Sequence, residues 1–120
     1  MIKGIGVDVI EIDRINQSIK RNDRFLQRIL TEAEQQKAAD LSERRQAEYV
    51  AGRFAAKEAF AKAVGTGIGA LQFTDIEIIT DLNGAPRMTA AGYEDQLIWV
   101  SISHSKDVAI AQVIIEETRI

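Results

Sequence analysis

Apolar residues recur at helical spacing in one long segment in the middle of the chain. In an α-helix of about 3.6 residues per turn, one stripe of this segment is mostly apolar. The members of the stripe are Val50, Ala51, Phe54 and Ala61. Ser42 is a suitable N-cap and Gly65 a suitable C-cap, so the pattern predicts one long helix through about residue 64.

Apolar, β-branched runs elsewhere in the chain predict strands. They occupy residues 4–12, 74–80, 85–90, 97–103 and 107–115. Leu82, Asn83 and Gly84 lie between the second and third runs and predict a hairpin, and the last two runs predict a pair of strands around "HSK". A short helix is expected near residues 89–96.

Two shorter helical segments follow the first strand. Ile12, Ile15 and Ile19 have helical spacing, and residues 22–23 are a candidate interruption of that helix. Thr31 followed by Glu34 matches a capping box and predicts the start of the next helix. The expected fold class is therefore α+β, with an antiparallel sheet packed against one long helix plus shorter helices.

Length and composition fit one compact domain spanning residues 1–120. The chain is 46% hydrophobic and 28% charged, and its net charge of −3 argues against a general nucleic-acid binder. It has no cysteine, which excludes disulfides and thiolate metal sites. No apolar run approaches the roughly 20 residues of a membrane span. We expect a cytoplasmic protein without a membrane partner.

Two carboxylates stand where the pattern predicts apolar residues. Glu58 falls on the apolar stripe of the long helix, and Asp8 lies in the first strand on the face of Gly6 and Ile10. A buried carboxylate needs a cation, hydrogen bonds or a metal. Each could pair separately with a cation such as Arg53 or Lys57, which is the more common arrangement, or both could share Mg²⁺. The residues alone leave both alternatives open.

Several other polar positions are candidates for binding an anionic ligand. Arg53 and Lys57 are four residues apart and project together beside Glu58, with Lys62 on its other side. A solvated helix face would explain these charges equally well. The glycines of "GTGIG" (65–69) form a helix C-cap and could admit a ligand close to the backbone. His104, the only histidine, lies at a strand end, where it is either structural or within reach of a ligand.

Three blocks of this sequence together resemble a known family. They are "GIGVDVIEIDRI", "FAAKEAFAKAVGTGIG" and "WVSISHSKDVAIA". In this order and without large insertions, they are similar to the signature blocks of the short bacterial 4′-phosphopantetheinyl transferases, the holo-(acyl-carrier-protein) synthase family. One departure is visible: the hairpin reads "NGAP", where many members carry a lysine before the proline.

The resemblance implies a specific reaction. Members transfer 4′-phosphopantetheine from coenzyme A to a serine of apo-acyl carrier protein, release adenosine 3′,5′-bisphosphate and support fatty acid biosynthesis. By motif, Asp8 and Glu58 would ligate Mg²⁺, and Lys57 would take part in catalysis by holding phosphates. The serine proton would pass to Glu58 or to a water; we expect the water, because a ligating carboxylate is a weakened base.

The resemblance also assigns the coenzyme contacts. Arg53 and Lys62 would assist Lys57 at the phosphates, close to Gly65. The remaining contacts, which would frame the adenosine and its 3′-phosphate, are Asn83, Gly84, Pro86, Ser103 and His104.

A basic segment and a polar residue in the last strand predict protein partners. Acyl carrier proteins are strongly acidic, so exposed arginines around an apolar anchor would dock them. The docking candidates are Arg14, Arg21, Arg24, Phe25 and Arg28. In a continuous helix, Arg14, Arg21 and Arg28 would share one face. Short members form trimers, and Gln112 could satisfy its amide at the threefold axis of a homotrimer with active sites at its subunit interfaces.

Two other functions remain open at this point. A Mg²⁺-dependent hydrolase of nucleotides or pyrophosphates would use the same carboxylates with water as the nucleophile, and would not need the basic segment. A non-catalytic coenzyme A-binding module would tolerate Asp8→Asn and Glu58→Gln.

Overall fold

The computed structural model describes residues 1–67 and 71–117. The elements in chain order are β1 (Ile2–Glu11), α1 (Ile12–Arg21), α2 (Phe25–Ile29), α3 (Glu32–Ala39), α4 (Glu43–Val64), a 3₁₀ turn (Phe73–Asp75), β2 (Ile76–Thr80), β3 (Pro86–Ala90), β4 (Gln96–His104) and β5 (Val108–Glu117). The predicted α+β class is confirmed.

The long helix α4 begins and ends where its caps predict. Ser42 is the N-cap residue, although its side chain makes no capping hydrogen bond, and Gly65 ends the helix in a left-handed conformation with φ 83°. Thr31 and Glu34 form the predicted capping box at the start of α3. Local signals therefore fix the ends of both helices.

The strands form two antiparallel sheets. The larger has the order β1-β5-β4 and the smaller pairs β2 with β3. In the larger sheet Asp8 pairs with Ala111, and Ser101 and Val7 flank Gln112 on the central strand. Asp8 lies on the inner face of β1, which it shares with Gly6 and Ile10 as expected.

The expected short helix near residues 89–96 is wrong. Residues 86–90 form β3, and turns connect it to β4. Gly92 has φ 89°, a left-handed conformation that a right-handed helix does not contain. Backbone bonds from Tyr93 to Ala90 and from Gln96 to Tyr93 close these turns.

Helix α4 is buried on most of its circumference because it packs between two layers. One side faces β1, β5 and the β2–β3 hairpin, around Phe60 and Ala56. The other side meets α1, α2 and α3, around Val50 and Ala51. A helix packed on both sides has few positions left for solvent in its middle, where the charged residue Lys57 is buried.

The outer face of the larger sheet is apolar and exposed. Its large hydrophobic side chains include Ile5, Val7, Val9, Leu97, Trp99 and Ile110, all at least 40% exposed. Gln112 lies on the same exposed face of β5. An exposed surface with this many large apolar side chains is typical of an interaction site.

Within the described ranges, no helix has the length and apolar character needed to cross a membrane.

Candidate functional site

A close crossing of β1 and α4 builds the site. A Cβ atom on Gly4 would lie 1.9 Å from the carbonyl oxygen of Ala63, and one on Gly6 would lie 1.9 Å from that of Ala59. Any side chain at these positions would push the strand away from the helix. The two glycines therefore let β1 lie directly on the backbone of α4, which places Asp8 next to the last turns of the helix.

At this crossing Asp8 and Glu58 come close together, with Lys62 beside them. The Lys62 Nζ donates to Asp8 Oδ1 at 2.8 Å and to the Val7 carbonyl at 3.1 Å. Glu58 is half-buried, and its pKa responds to the charges of both Asp8 and Lys62. Lys62 is therefore the residue that forms an ion pair with Asp8. Arg53 and Lys57, the partners suggested from the sequence, do not.

The electrostatics of this group suit a bound cation. Burial raises the pKa of Glu58 above its ordinary value, the nearby charge of Asp8 raises it further, and Lys62 opposes both. The hydrogen bond to Asp8 and its charge raise the pKa of Lys62. Because the charge of Asp8 disfavours the ionisation of Glu58, a divalent ion between the two side chains would relieve the repulsion.

The donor set fits Mg²⁺ better than a metal held entirely by protein. The described residues contain no group of three or more histidine, cysteine, aspartate or glutamate side chains that could hold a metal. Asp8 and Glu58 offer two hard oxygen ligands. Mg²⁺ usually binds through one or two carboxylates and keeps water or phosphate oxygens as its other ligands.

Lys57 lies elsewhere, and its expected contact with coenzyme phosphates is corrected. Its side chain has 0% exposure. Its Nζ donates to Glu34 Oε1 at 2.6 Å and to the Ile29 carbonyl at 2.8 Å. Helix α3 and strand β2 cover this side of α4, which the sequence pattern of the helix alone does not reveal. The ammonium group is enclosed in protein and presents no surface to a phosphate.

Arg53 and His104 line a second cleft, apart from the two carboxylates. The basic or ring side chains around it are Lys37, Arg45, Tyr49, Arg53 and His104. The guanidinium of Arg53 lies 4.3 Å from the centre of the Tyr49 ring and donates to Thr80 Oγ1 at 3.3 Å. Its buried Nε has no hydrogen-bond partner in the part of the chain that is described. Within one chain, this cleft does not include Asp8 or Glu58.

The sequence pattern missed Lys37 and Arg45 as members of this cleft. Arg45 lies two helical turns before Arg53, so the two side chains lie on the same face of α4. This spacing could have identified Arg45 from the sequence. Lys37 comes from α3, and nothing local in the sequence brings it there.

The remaining coenzyme candidates lie at loops or on exposed strand positions. Gly84 has φ 83° in the β2–β3 turn, where Asp81 accepts hydrogen bonds from the backbone nitrogens of Asn83 and Ala85. The Ala85 bond and the ion pair with Arg87 lower the pKa of Asp81. This bonding fixes the loop that carries Asn83, Gly84 and Pro86.

The last two candidates for coenzyme binding, Ser103 and Gly65, lie at the end of a strand and at the end of a helix. Ser103 is exposed on β4, next to His104. Gly65 is confirmed as the helix C-cap. Of the "GTGIG" segment, residues 68–69 lie outside the described residues.

The basic segment is exposed but does not form one continuous helix. Helix α1 ends at Arg21 and α2 begins at Phe25, so the predicted interruption at residues 22–23 is confirmed. The common face of Arg14, Arg21 and Arg28, which required a continuous helix, is therefore not formed. The break at Asn22 is stabilised by a hydrogen bond that the Arg24 backbone nitrogen donates to Asn22 Oδ1. Residues 14, 21, 24 and 28 are nevertheless exposed, and Phe25 is half-buried between them.

Comparisons with known proteins agree on one family. A family model described as the 4′-phosphopantetheinyl transferase superfamily matches residues 4–113. A holo-[acyl-carrier-protein] synthase of Oceanobacillus iheyensis is 60% identical over 116 residues, covering 97% of this chain and 98% of the relative.

Solved structures show the same likeness. The crystal structure of a holo-(acyl-carrier-protein) synthase from Bacillus anthracis in complex with CoA (3′,5′-ADP) has a TM-score of 0.91 and 49% identity, covering 98% of this chain and 99% of the other. A Helicobacter pylori synthase in complex with coenzyme A has a TM-score of 0.83 and 36% identity, covering 93% and 99%.

Proposed function

This chain belongs to the 4′-phosphopantetheinyl transferase superfamily, and we propose that it transfers 4′-phosphopantetheine from coenzyme A to a serine of apo-acyl carrier protein in a Mg²⁺-dependent reaction. The observation that carries the proposal is the meeting of Asp8 and Glu58 at the β1–α4 crossing, with Lys62 bonded to Asp8. Two carboxylates and a lysine at one point suit a pyrophosphate substrate with its metal.

The reaction breaks one phosphorus–oxygen bond and forms another. The serine oxygen bonds to the phosphorus that carries pantetheine, adenosine 3′,5′-bisphosphate leaves, and the serine proton passes to a base. Mg²⁺ held by Asp8 and Glu58 would neutralise charge on the pyrophosphate oxygens. Lys62 adds a positive charge at the same place, and its exposed ammonium is free to exchange Asp8 for a phosphate oxygen.

The second cleft is assigned to the adenosine end of coenzyme A. Arg53 supplies a cation for a nucleotide phosphate, with the exposed ring of His104 beside it in the same cleft. The exposed side chain of Asn83 adds an amide, next to Gly84 in its loop. The CoA-bound relatives from B. anthracis and H. pylori support coenzyme binding by this fold. The product would serve fatty acid biosynthesis, because holo-acyl carrier protein carries growing acyl chains.

We further assign a homotrimer. Within one chain the residues expected to bind coenzyme A fall into two separate groups, so a complete site needs a neighbouring copy. The exposed apolar face that carries Val7, Trp99 and Ile110 is a suitable surface for that contact. Gln112 lies within this face, where its amide could bond to its symmetry mates. A monomeric mass in native mass spectrometry at working concentration would refute this assembly.

Intact-mass analysis tests the proposed reaction. Purified protein is incubated with apo-acyl carrier protein, coenzyme A and Mg²⁺, and the carrier should gain the mass of one phosphopantetheine group. Chelation of the metal should abolish the gain. Release of adenosine 3′,5′-bisphosphate without carrier protein would instead indicate a hydrolase, and retained function in Asp8→Asn and Glu58→Gln would indicate a binding module.

A further inference from the structure

A buried ion pair outside the proposed metal site joins the two functional regions of the chain. Lys57 has 0% exposure and Glu34 2%. The lysine Nζ lies 2.6 Å from Glu34 Oε1 and also donates to the Ile29 carbonyl at 2.8 Å. Lys57 thus connects the middle of α4 to the last residue of α2 and to the first turn of α3.

The glutamate extends this connection to the small sheet. Glu34 Oε1 also accepts from the Thr31 backbone nitrogen at 2.9 Å, and Oε2 accepts from the Ile78 nitrogen at 2.8 Å. The Thr31 hydroxyl in turn donates to Glu77 of β2. One buried carboxylate therefore accepts bonds from α4, from the start of α3 and from the edge of β2.

Helix α2 depends on this cluster for its position. It has five residues, Phe25–Ile29, and a helix of that length is not stable by itself. Its end is held by the Lys57 bond to Ile29 and by burial of Ile29 and Leu30. The exposed part of α2 carries Phe25 and Arg28, two of the residues assigned to carrier-protein docking.

Lys57 and Glu58 are consecutive residues of α4 and point to different neighbours. Lys57 reaches α2, whereas Glu58 lies one helical turn before Lys62, whose Nζ bonds to Asp8. A 22-residue helix packed on two sides is rigid, so it fixes the distance between whatever these two residues hold. Lys57 holds α2, which carries the docking residues Phe25 and Arg28, and Glu58 belongs to the proposed phosphate-transfer site.

We propose that Lys57 and Glu34 are positioning residues that set the carrier-protein docking surface of α2 relative to Glu58. The inference rests on the proposed function. Replacement of a buried ion pair by apolar side chains is often neutral or stabilising, so stability alone does not explain the pair. Its hydrogen bonds are directional and hold α2 and α3 in one arrangement, where an apolar contact would let them slide.

The double variant Lys57→Met/Glu34→Gln tests this role because it leaves neither charge unpaired. We expect the KM for apo-acyl carrier protein to rise about 10-fold, since small displacements of a bound reactant have large kinetic effects. The dissociation constant for coenzyme A, measured by calorimetry, should stay within about twofold of wild type, because Asp8, Glu58 and Lys62 are untouched. Hydrogen exchange should accelerate in residues 25–30 and remain slow in α4.

The control is Lys3→Met, which removes a lysine from an exposed ion pair with Glu117 and should change neither constant. If the double variant does not fold, Thr31→Val removes the hydroxyl bond to Glu77 together with the capping bond from the Glu34 nitrogen, and it should raise the carrier-protein KM in the same direction by a smaller factor.

Three results would count against the inference. An unchanged carrier-protein KM with a reduced kcat would show that the pair only maintains the folded fraction. A parallel rise in the coenzyme A dissociation constant would show a general distortion of the site. Failure of the wild-type protein to modify any carrier protein would instead overturn the proposed function, and this inference with it.

Discussion

Two lysines of helix α4 form ion pairs in opposite surroundings. Lys57 is fully buried and pairs with a buried glutamate, and burial lowers its pKa. Lys62, five residues later, has a side chain that is 54% exposed and pairs with Asp8, which raises its pKa. The buried pair has no access to a ligand, whereas the exposed pair can exchange its partner. Position relative to the neighbouring elements, and not residue type, separates an enclosed lysine from one that a ligand can reach.

Removal of the buried charge should have the largest effect on folding. Lys57→Met leaves Glu34 charged and unpaired in the interior, which typically costs about 3–5 kcal/mol of unfolding free energy. Urea denaturation followed by circular dichroism measures this loss. The double variant Lys57→Met/Glu34→Gln should recover much of it. Equal losses in the single and double variants would mean that the charge pair is not the cause.

Removal of the exposed charge should affect the reaction and leave folding nearly unchanged. Lys62→Met is expected to lower kcat/KM by about 100-fold, the usual scale for one electrostatic contact to a transferring group. Steady-state assays with varied coenzyme A provide the measurement, and Lys62→Arg, which keeps the charge, is the matched control. If Lys62→Met destabilised the fold as much as Lys57→Met, the contrast between the two lysines would disappear.

The difference between these lysines also shows what a local sequence pattern predicts. The long helix, its Gly65 cap and the Thr31–Glu34 capping box follow from residues near one another in the chain, and the structure confirms them. The burial of Lys57 depends on α3 and β2 packing onto α4. Lys57 bonds to Glu34, 23 residues away in the chain, and Glu34 accepts from the nitrogen of Ile78, which is 44 residues from it. No periodicity within the helix contains that information.

The candidate site was predictable to the same limited extent. Asp8 was identified as a carboxylate within an apolar strand, and Glu58 as a carboxylate on the apolar stripe of a helix, so both follow from local patterns. Their meeting depends on the contact of Gly4 and Gly6 with the backbone of α4. The sequence contained that signal as two glycines in a strand, which favour a close backbone approach.

The β1–α4 contact can be altered without touching either lysine. Gly6→Ala places a Cβ against the Ala59 carbonyl, and overpacking of this kind costs roughly 1–3 kcal/mol. Because Asp8 moves with β1, the activity of Gly6→Ala should fall, as that of Lys62→Met does, while Lys57 stays protected from solvent. Steady-state assays measure the activity, denaturation measures the stability, and hydrogen exchange measures the protection. Gly52→Ala meets only the side chain of Ile102 and should be milder; an equal effect would argue against a special role for the crossing.

The smallest expected effect is the salt dependence of carrier-protein binding, which distinguishes exposed charges from the buried charge of Lys57. The Arg24 guanidinium is exposed near Phe25, so Arg24→Glu should raise the KM for the acidic carrier protein by about 10-fold at low ionic strength. Screening shortens the range of exposed charges to roughly 10 Å at about 0.1 M salt, and the difference from wild type should therefore shrink as salt is added. The destabilisation caused by Lys57→Met should not change, because ions do not enter the interior. Arg14→Glu is the companion variant, and coenzyme A affinity should be unaltered in both. Loss of coenzyme affinity equal to the loss of carrier affinity would show that these arginines act on the coenzyme site and not on a separate docking surface.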